Sequence, residues 1–261
     1  MEYNFSEDLK SIREILGFSQ SELAEKIGVE QVTISRTELK KTEPSARLLE
    51  AVYSFAFDKN IKINKLKEMF WRDDLGANEK LLFHGAKTEI DGEIDIHKGR
   101  KNNDFGQGFY LTTSKEQAES FLRTSIAKAI ATGTIEEGQK FGYISTFEFK
   151  LSENLETHIF ENADVDWLHC IAAHRKKKMF IEVEREMAKY DIIAGKIADD
   201  ATNATLTAYL AGAFGTAGDK VADDFCIRQL LPNKLKDQYC FKTEAAIECL
   251  KFVKGEKIWL K

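Results

Sequence analysis

Lys101-Asn102-Asn103-Asp104-Phe105-Gly106-Gln107-Gly108-Phe109-Tyr110-Leu111-Thr112-Thr113-Ser114 is a polar, glycine-bearing turn that runs straight into a short apolar segment and then into a helix-starting serine. Glycines permit the tight turn. Gly108 to Thr112 predicts a strand carrying Tyr110, and Ser114 predicts the cap of a helix extending to about Thr132. Gly106-Gln107-Gly108 is not a dinucleotide fingerprint, because it lacks the third glycine, the preceding strand and the following acidic residue. Upstream, Leu81-Leu82-Phe83-His84 predicts a strand that ends in His84-Gly85. Taken together, the two pieces predict a concave grouping of polar and aromatic side chains.

Working outward from this stretch, short apolar runs alternate with Gly, Asn and Asp turns. Further strands are expected at Gly142–Phe149, Tyr190–Ala194 and Gln238–Lys242, with helices at Val165–His174, Asn203–Ala213 and Glu244–Phe252. This is an α+β pattern for residues 78–261. Before it lies a polar linker, Arg72 to Asn78, and before that residues 1–72 contain only helical patterns. Leu9, Ile12, Ile15 and Leu16 form one stripe. Ser19 and Glu22 form a capping box, Gly28 stops that helix, Gln31–Arg36 forms the next, and Pro44-Ser45 opens another with Leu48, Leu49 and Val52 inward. Two helices joined by a glycine turn make a helix-turn-helix.

Of the 261 residues, 38 are Lys or Arg and 43 are Asp or Glu, a net charge of −5, which excludes a basic sheath over the whole chain. Residues 1–72 hold 12 basic and 12 acidic side chains, so any phosphate binding there is local. No apolar run reaches the roughly 20 residues of a membrane span, and the acidic start lacks a signal core, so a cytoplasmic protein is expected. The four cysteines form no Cys-x-x-Cys pair. His169 and His174 are five residues apart and point to different sides of a helix, so no metal site is expected.

The first segment resembles the Xre or Cro-type repressor family, through Ile12-Arg13, Gly17–Val29, Thr33-Ile34-Ser35-Arg36 and Pro44-Ser45. The resemblance implies major-groove binding, with Gln31, Val32, Thr33 and Arg36 at base edges and Gln20, Lys40 or Lys41 at phosphate. Palindromic operators would further imply a homodimer. Thr37-Glu38 departs from the family pattern, since an apolar residue usually precedes the Glu. A partner-binding module that kept only the fold is the alternative for this segment.

The second segment resembles the ADP-ribosyltransferase superfamily, in its His-Tyr-Glu/Gln branch, and more narrowly a bacterial domain family of unknown function with that fold. The matching pieces are His84-Gly85, Asn103–Thr112, Asp166-Trp167-Leu168, Tyr190–Gly195 with Ile197–Asp200, and Asp237–Thr243. The resemblance implies NAD as donor of ADP-ribose. His84 would bind a ribose hydroxyl, the Gly85 backbone would clamp the nicotinamide amide and Tyr110 would stack on the ring, with Gly108, Thr112 and Phe121 close by. Gln238 is the choice for the third, ribose-orienting residue, and Gln229 is its rival. A glutamine cannot act as a general base, so a carboxylate such as Asp199, Asp200 or Glu244 could assist. Asp199-Asp200 can equally be a helix cap. Arg175-Lys176-Lys177-Lys178 has a phosphate-binding reading and an ordinary one, a solvated helix end; Arg123 and Lys128 have the same two readings.

These readings lead to an NAD-dependent ADP-ribosyltransferase acting on a protein or nucleic-acid acceptor, in the manner of a toxin or defence effector, with catalytic residues His84, Tyr110 and Gln238. The rival is a transcription regulator whose C-terminal domain senses NAD or a related nucleotide without catalysis. A third reading, a partner-binding module with neither ligand, predicts no NAD-dependent thermal shift.

Overall fold

The structure, a computed structural model, describes residues 4–76, 78–90, 93–135, 141–176, 178–198, 200–230 and 235–259. It divides into two compact units, Met1–Leu75 and Gly76–Lys261.

The first unit is helical: α1 (Phe5–Ile15), α2 (Gln20–Ile27), α3 (Gln31–Glu38), α4 (Ala46–Asp58) and α5 (Ile63–Asp74). Its core is Phe5, Leu9, Ile12, Leu23, Ala24, Ile34, Leu48, Val52 and Ala56. The inward stripe of α1 runs through Phe5, Leu9 and Ile12 at helical spacing, and half-buried Leu16 continues it. Ile15, expected inward, is therefore on the outside. The α2 capping box is complete, with the Ser19 hydroxyl accepting from Glu22 N–H and the Glu22 carboxylate accepting from Ser19 N–H. Gly28 ends α2 at φ +71°, a conformation that suits glycine. Pro44 precedes the α4 cap, and Ser45 makes it by accepting from Leu48 N–H at 3.2 Å. Thr37 is buried where the family pattern carries an apolar side chain.

The second unit contains β1 (Glu79–Ala86), β2 (Phe109–Thr112), α6 (Lys115–Ala131), β3 (Phe141–Lys150), β4 (Thr157–Ile159), α7 (Val165–Arg175), α8 (Ile181–Met187), β5 (Ile192–Lys196), α9 (Asp200–Leu210), α10 (Lys220–Leu230), β6 (Asp237–Phe241), α11 (Glu244–Ile247) and β7 (Leu250–Trp259). The strands form one seven-stranded sheet in the order β4-β5-β6-β2-β1-β3-β7, antiparallel except for β4 with β5. The expected helix Glu244–Phe252 is corrected: Thr243 caps a single turn, and from Leu250 the chain pairs along β3, from Phe149↔Leu250 to Phe141↔Trp259. This long-range pairing outweighs the local helical pattern. Helix α9 begins at Asp200 rather than Asn203, and β5 begins at Ile192 rather than Tyr190. The elements α8, α10 and β4 carry no expected counterpart in the sequence pattern.

Side chains alternate across each strand, so the sheet has two different cores. One face packs Phe105, Trp167, Ile171, Ile193 and Cys240, with Tyr110 against them, beneath α7, α9 and α10. The other packs Leu82, Phe109, Leu111, Phe147, Phe149, Tyr239 and Phe241. Strand β1 pairs with β3 from Glu79↔Lys150 to Ala86↔Tyr143, yet it shares only Phe83↔Thr112 with β2. The sheet is thus weakly joined between β1 and β2. Helix α6 presses on it there, since a Cβ at Gly85 would lie 2.5 Å from the Ala118 carbonyl oxygen, and one at Gly142 would lie 2.6 Å from Leu122 Cδ1.

Candidate functional site

In the first unit, Gln31, Val32 and Arg36 on α3 are exposed and Thr33 is half-buried, while Ile34 and Thr37 point inward. The α3 N-terminus is held by a chain of side-chain hydrogen bonds. Arg13 donates through Nε to Glu38 Oε1 at 2.6 Å, Gln20 Nε2 donates to Glu38 Oε2 at 2.8 Å, and Gln31 Nε2 donates to Gln20 Oε1 at 2.9 Å. Arg13 also donates to the Phe18 carbonyl at 3.0 Å. Its pKa rises because the Glu38 carboxylate accepts from it. Gln20, expected at phosphate, therefore links α2 to α3 through its side-chain amide. Lys40 sits at φ +55° with Nζ 3.2 Å from Glu7 Oε1, both side chains well exposed, so solvent screens that pair. Arg36 also lines a groove with Val32, Thr33, Thr42, Glu43 and Leu48. An exposed amide and guanidinium on one helix are the groups that read base edges in a major groove.

In the second unit, His84 lies where β1 and β2 part. Its Nδ1–H donates to the Tyr110 carbonyl at 2.7 Å, since a carbonyl can only accept, and its ring lies 4.5 Å from that of Phe109. The side chain thereby makes the bond that the backbone ladder does not. Burial pulls the His84 pKa below its ordinary 6.5, and the bond to the Tyr110 carbonyl opposes the shift. The imidazole is neutral, and Nε2 is an acceptor that makes no hydrogen bond to a described residue.

Tyr110 projects from the opposite face of the sheet. Its hydroxyl donates to the Gly106 carbonyl at 2.8 Å and accepts from Phe105 N–H at 2.9 Å, which closes the glycine turn. Its pKa is pushed well up, first by burial and then by the neighbouring Cys240 thiol and Asp104. Gln238 is buried, pairs opposite Thr112 and donates Nε2–H to Asp104 Oδ2 at 2.8 Å. Asp104 is the hub: it also accepts from Arg175 Nε at 2.9 Å, Arg175 Nη2 at 2.6 Å and Ala198 N–H at 3.1 Å. Arg175 completes its fork on the Ala198 carbonyl and on Asn203 Oδ1. The solvated-end reading is thus corrected for Arg175, which is an inward ion-pair partner. Sequence reasoning passed over Asp104; its signal was a carboxylate inside the glycine turn itself.

Among the other expected residues, Gly85 and Gly108 have packing reasons to be glycine, a Gly108 Cβ falling 2.6 Å from both Cys240 Sγ and the Phe241 carbonyl oxygen. Buried Thr112 donates to the Asp237 carbonyl at 2.9 Å and accepts from Ser114 N–H at 3.2 Å. Phe121 is 61% exposed on α6, and Arg123, Lys128, Gln229 and Glu244 are also exposed. Asp199 and Lys177 lie outside the described residues. His169 and His174 diverge. The first bonds Asp223 through Nε2 at 2.7 Å, where Tyr209 OH also donates at 2.5 Å, and the second donates to the Cys170 carbonyl and packs its ring on Gly106. Among the described residues no three His, Cys, Asp or Glu side chains gather as metal ligands, and no helix is long and apolar enough to cross a membrane. Burial pushes the thiols of Cys170, Cys226 and Cys240 up to about 12, so they are protonated and unreactive.

His84, Tyr110 and Gln238 therefore do not converge. The first faces one core, and the Tyr110 hydroxyl and the Gln238 amide nitrogen are engaged within the opposite one. Residues 81–252 match a family model described as protein of unknown function (DUF3990), and residues 9–52 match one described as helix-turn-helix. No curated protein and no solved structure matches the chain.

Proposed function

Because the chain belongs to the DUF3990 family of proteins of unknown function, with a helix-turn-helix ahead of that region, its activity has to be argued from its own residues, and we propose that it is a DNA-binding transcription regulator whose C-terminal unit binds NAD or a related nucleotide without consuming it. The observation that carries this reading is the Arg13–Glu38–Gln20–Gln31 chain. It fixes Gln31 at the start of α3 through its Nε2, while the Gln31 and Arg36 side chains stay on the exposed surface of the helix. Pre-organised side chains of this kind favour base readout, because less conformational freedom is lost on binding.

The nucleotide part of the proposal rests on a partial fit. The bare Nε2 of neutral His84 suits a ribose hydroxyl, whereas Tyr110 and Gln238 are committed to the turn and to Asp104. This favours binding over turnover. Transfer of ADP-ribose is the second reading, kept because His84 Nε2 stands ready at the parting of β1 and β2. The test is a duplex-binding assay on operators selected from random DNA, with and without NAD, alongside nicotinamide release. Duplex binding that NAD changes while NAD stays intact supports the regulator. Nicotinamide release that His84→Ala abolishes would replace it with the transferase, and neither duplex binding nor an NAD-dependent thermal shift would sink both readings.

A further inference from the structure

The face of the sheet that carries His84 continues along β3 and β7 past the core to a group of rings in which Phe141 and Tyr143 are half-buried and Trp259 is exposed. Phe141 pairs opposite Trp259, and Tyr143 opposite Lys257, so all four side chains lie on this face, together with His84, which pairs opposite Ser145. Trp259 is 64% exposed. Phe141 meets the Trp259 ring at 5.5 Å and the Tyr143 ring at 6.0 Å, both edge-on. Lys257 Nζ is held between two of these rings, 3.7 Å from the centroid of Phe141 and 4.9 Å from that of Trp259. Its neighbours on the strand are committed elsewhere, Lys251 to Glu148 and Lys254 to Glu256. Lys257 forms no ion pair with a described residue. Glu256, next to Lys257 on the strand, is paired with Lys115 and Lys254, and Glu89 Oε1 lies 3.3 Å from where a Gly255 Cβ would stand.

We propose that Phe141, Tyr143, Lys257 and Trp259 form a stacking site for a nucleobase bearing a phosphate, with Trp259 supplying the ring face and Lys257 the cation. The chemistry selects the occupant. A purely apolar partner would bury the Lys257 ammonium with no anion, a costly arrangement. A simple anion would leave the Trp259 ring exposed. A nucleotide satisfies both, because its base stacks on an aromatic side chain while its phosphate meets the ammonium. Strand spacing puts the Phe141–Trp259 pair about 13 Å along β3 from the His84–Ser145 pair. A mononucleotide can therefore occupy the platform without touching His84, and the inference stands whether or not NAD is the ligand there.

The nucleotide can come free or as part of a single strand, and one experiment separates the two. Full-length protein is titrated with AMP, with ribose 5-phosphate and with a single-stranded oligodeoxyadenylate of roughly 12 nucleotides, following tryptophan fluorescence. Of the three tryptophans, Trp167 is fully buried and Trp71 is half-buried in the first unit, so the part of the signal that Trp259→Ala removes is the part that reports on the platform. AMP should quench and ribose 5-phosphate should not. Trp259→Ala, at an exposed position that the fold does not need, should abolish the quench. Lys257→Ala should weaken AMP at least about fivefold. An oligonucleotide that saturates far below AMP names single-stranded nucleic acid as the source, and equal affinity per nucleotide names the free nucleotide. No quench by either probe, a quench that survives Trp259→Ala, oligonucleotide binding lost only in Arg36→Ala, or a Trp259-dependent self-association without nucleotide binding would each overturn the proposal. His84→Ala should leave the AMP quench intact, so that failure of the NAD reading leaves this one standing.

Discussion

Asp104→Asn should destabilise the second unit by about 3 kcal/mol. The carboxylate accepts four hydrogen bonds, from Arg175 Nε, Arg175 Nη2, Ala198 N–H and Gln238 Nε2. An asparagine keeps one acceptor oxygen and turns an NH2 toward groups that are themselves donors. It also removes the negative charge facing Arg175, whose side chain is only 18% exposed. Breaking a buried ion pair from one side typically costs about 3–5 kcal/mol, because the remaining charge is left uncompensated. Arg175 retains the Ala198 carbonyl and Asn203 Oδ1, which places the loss near the lower end. At about 2–4 °C per kcal/mol for a unit of this size, Tm should fall by about 6–12 °C. Urea unfolding read through Trp167, whose indole N–H donates to the Lys196 carbonyl in the same unit, measures the loss. Pairing Asp104→Asn with Arg175→Met should recover part of it, since no buried charge then remains. A loss under about 0.5 kcal/mol, the range of an ordinary surface substitution, would refute the claim that Asp104 is the hub, and with it the structural account of Gln238.

Three further outcomes follow from the same contacts. Gly108→Ala should cost about 1–3 kcal/mol in thermal or urea unfolding, because the new methyl meets Cys240 Sγ and the Phe241 carbonyl oxygen at 2.6 Å; an unchanged Tm would mean that the strands separate easily there. His84 and His174 both have pKa values held below the ordinary 6.5 by burial, so the unfolded chain takes up their protons first as pH falls through about 6.5. Stability should then drop by at most about 1.4 kcal/mol per pH unit for each histidine until the folded values are reached, and be fully present above pH 6.5. Urea midpoints at pH 8 and pH 5 test this, and His84→Gln should make the slope shallower. Arg36→Ala should weaken duplex binding severalfold with the Tm of the first unit unchanged, whereas Glu38→Ala, which strands Arg13 and releases Gln20, should lower both Tm and binding. Equal effects of the two on Tm would contradict the division between surface reader and internal support.

The sequence by itself determined the features that short-range chemistry controls. The Ser19/Glu22 box, the Gly28 stop, the Ser45 cap and the Ser114 start of α6 each depend on a few neighbouring residues, and each stands where the pattern puts it. The apolar runs of β1, β2, β3 and β6 are equally local in origin. Only the tertiary structure decided which face each side chain takes and which partner it finds. Register between distant strands sends His84 to one core and Tyr110 to the other, and no local pattern carries that register. Asp104 and Arg175 are 71 residues apart, so a charge that looks like a solvated helix end becomes a buried partner only when the glycine turn folds onto α7. Residues 250–259 form a strand because β3 offers them an edge, and that same pairing brings Trp259 and Lys257 beside Phe141.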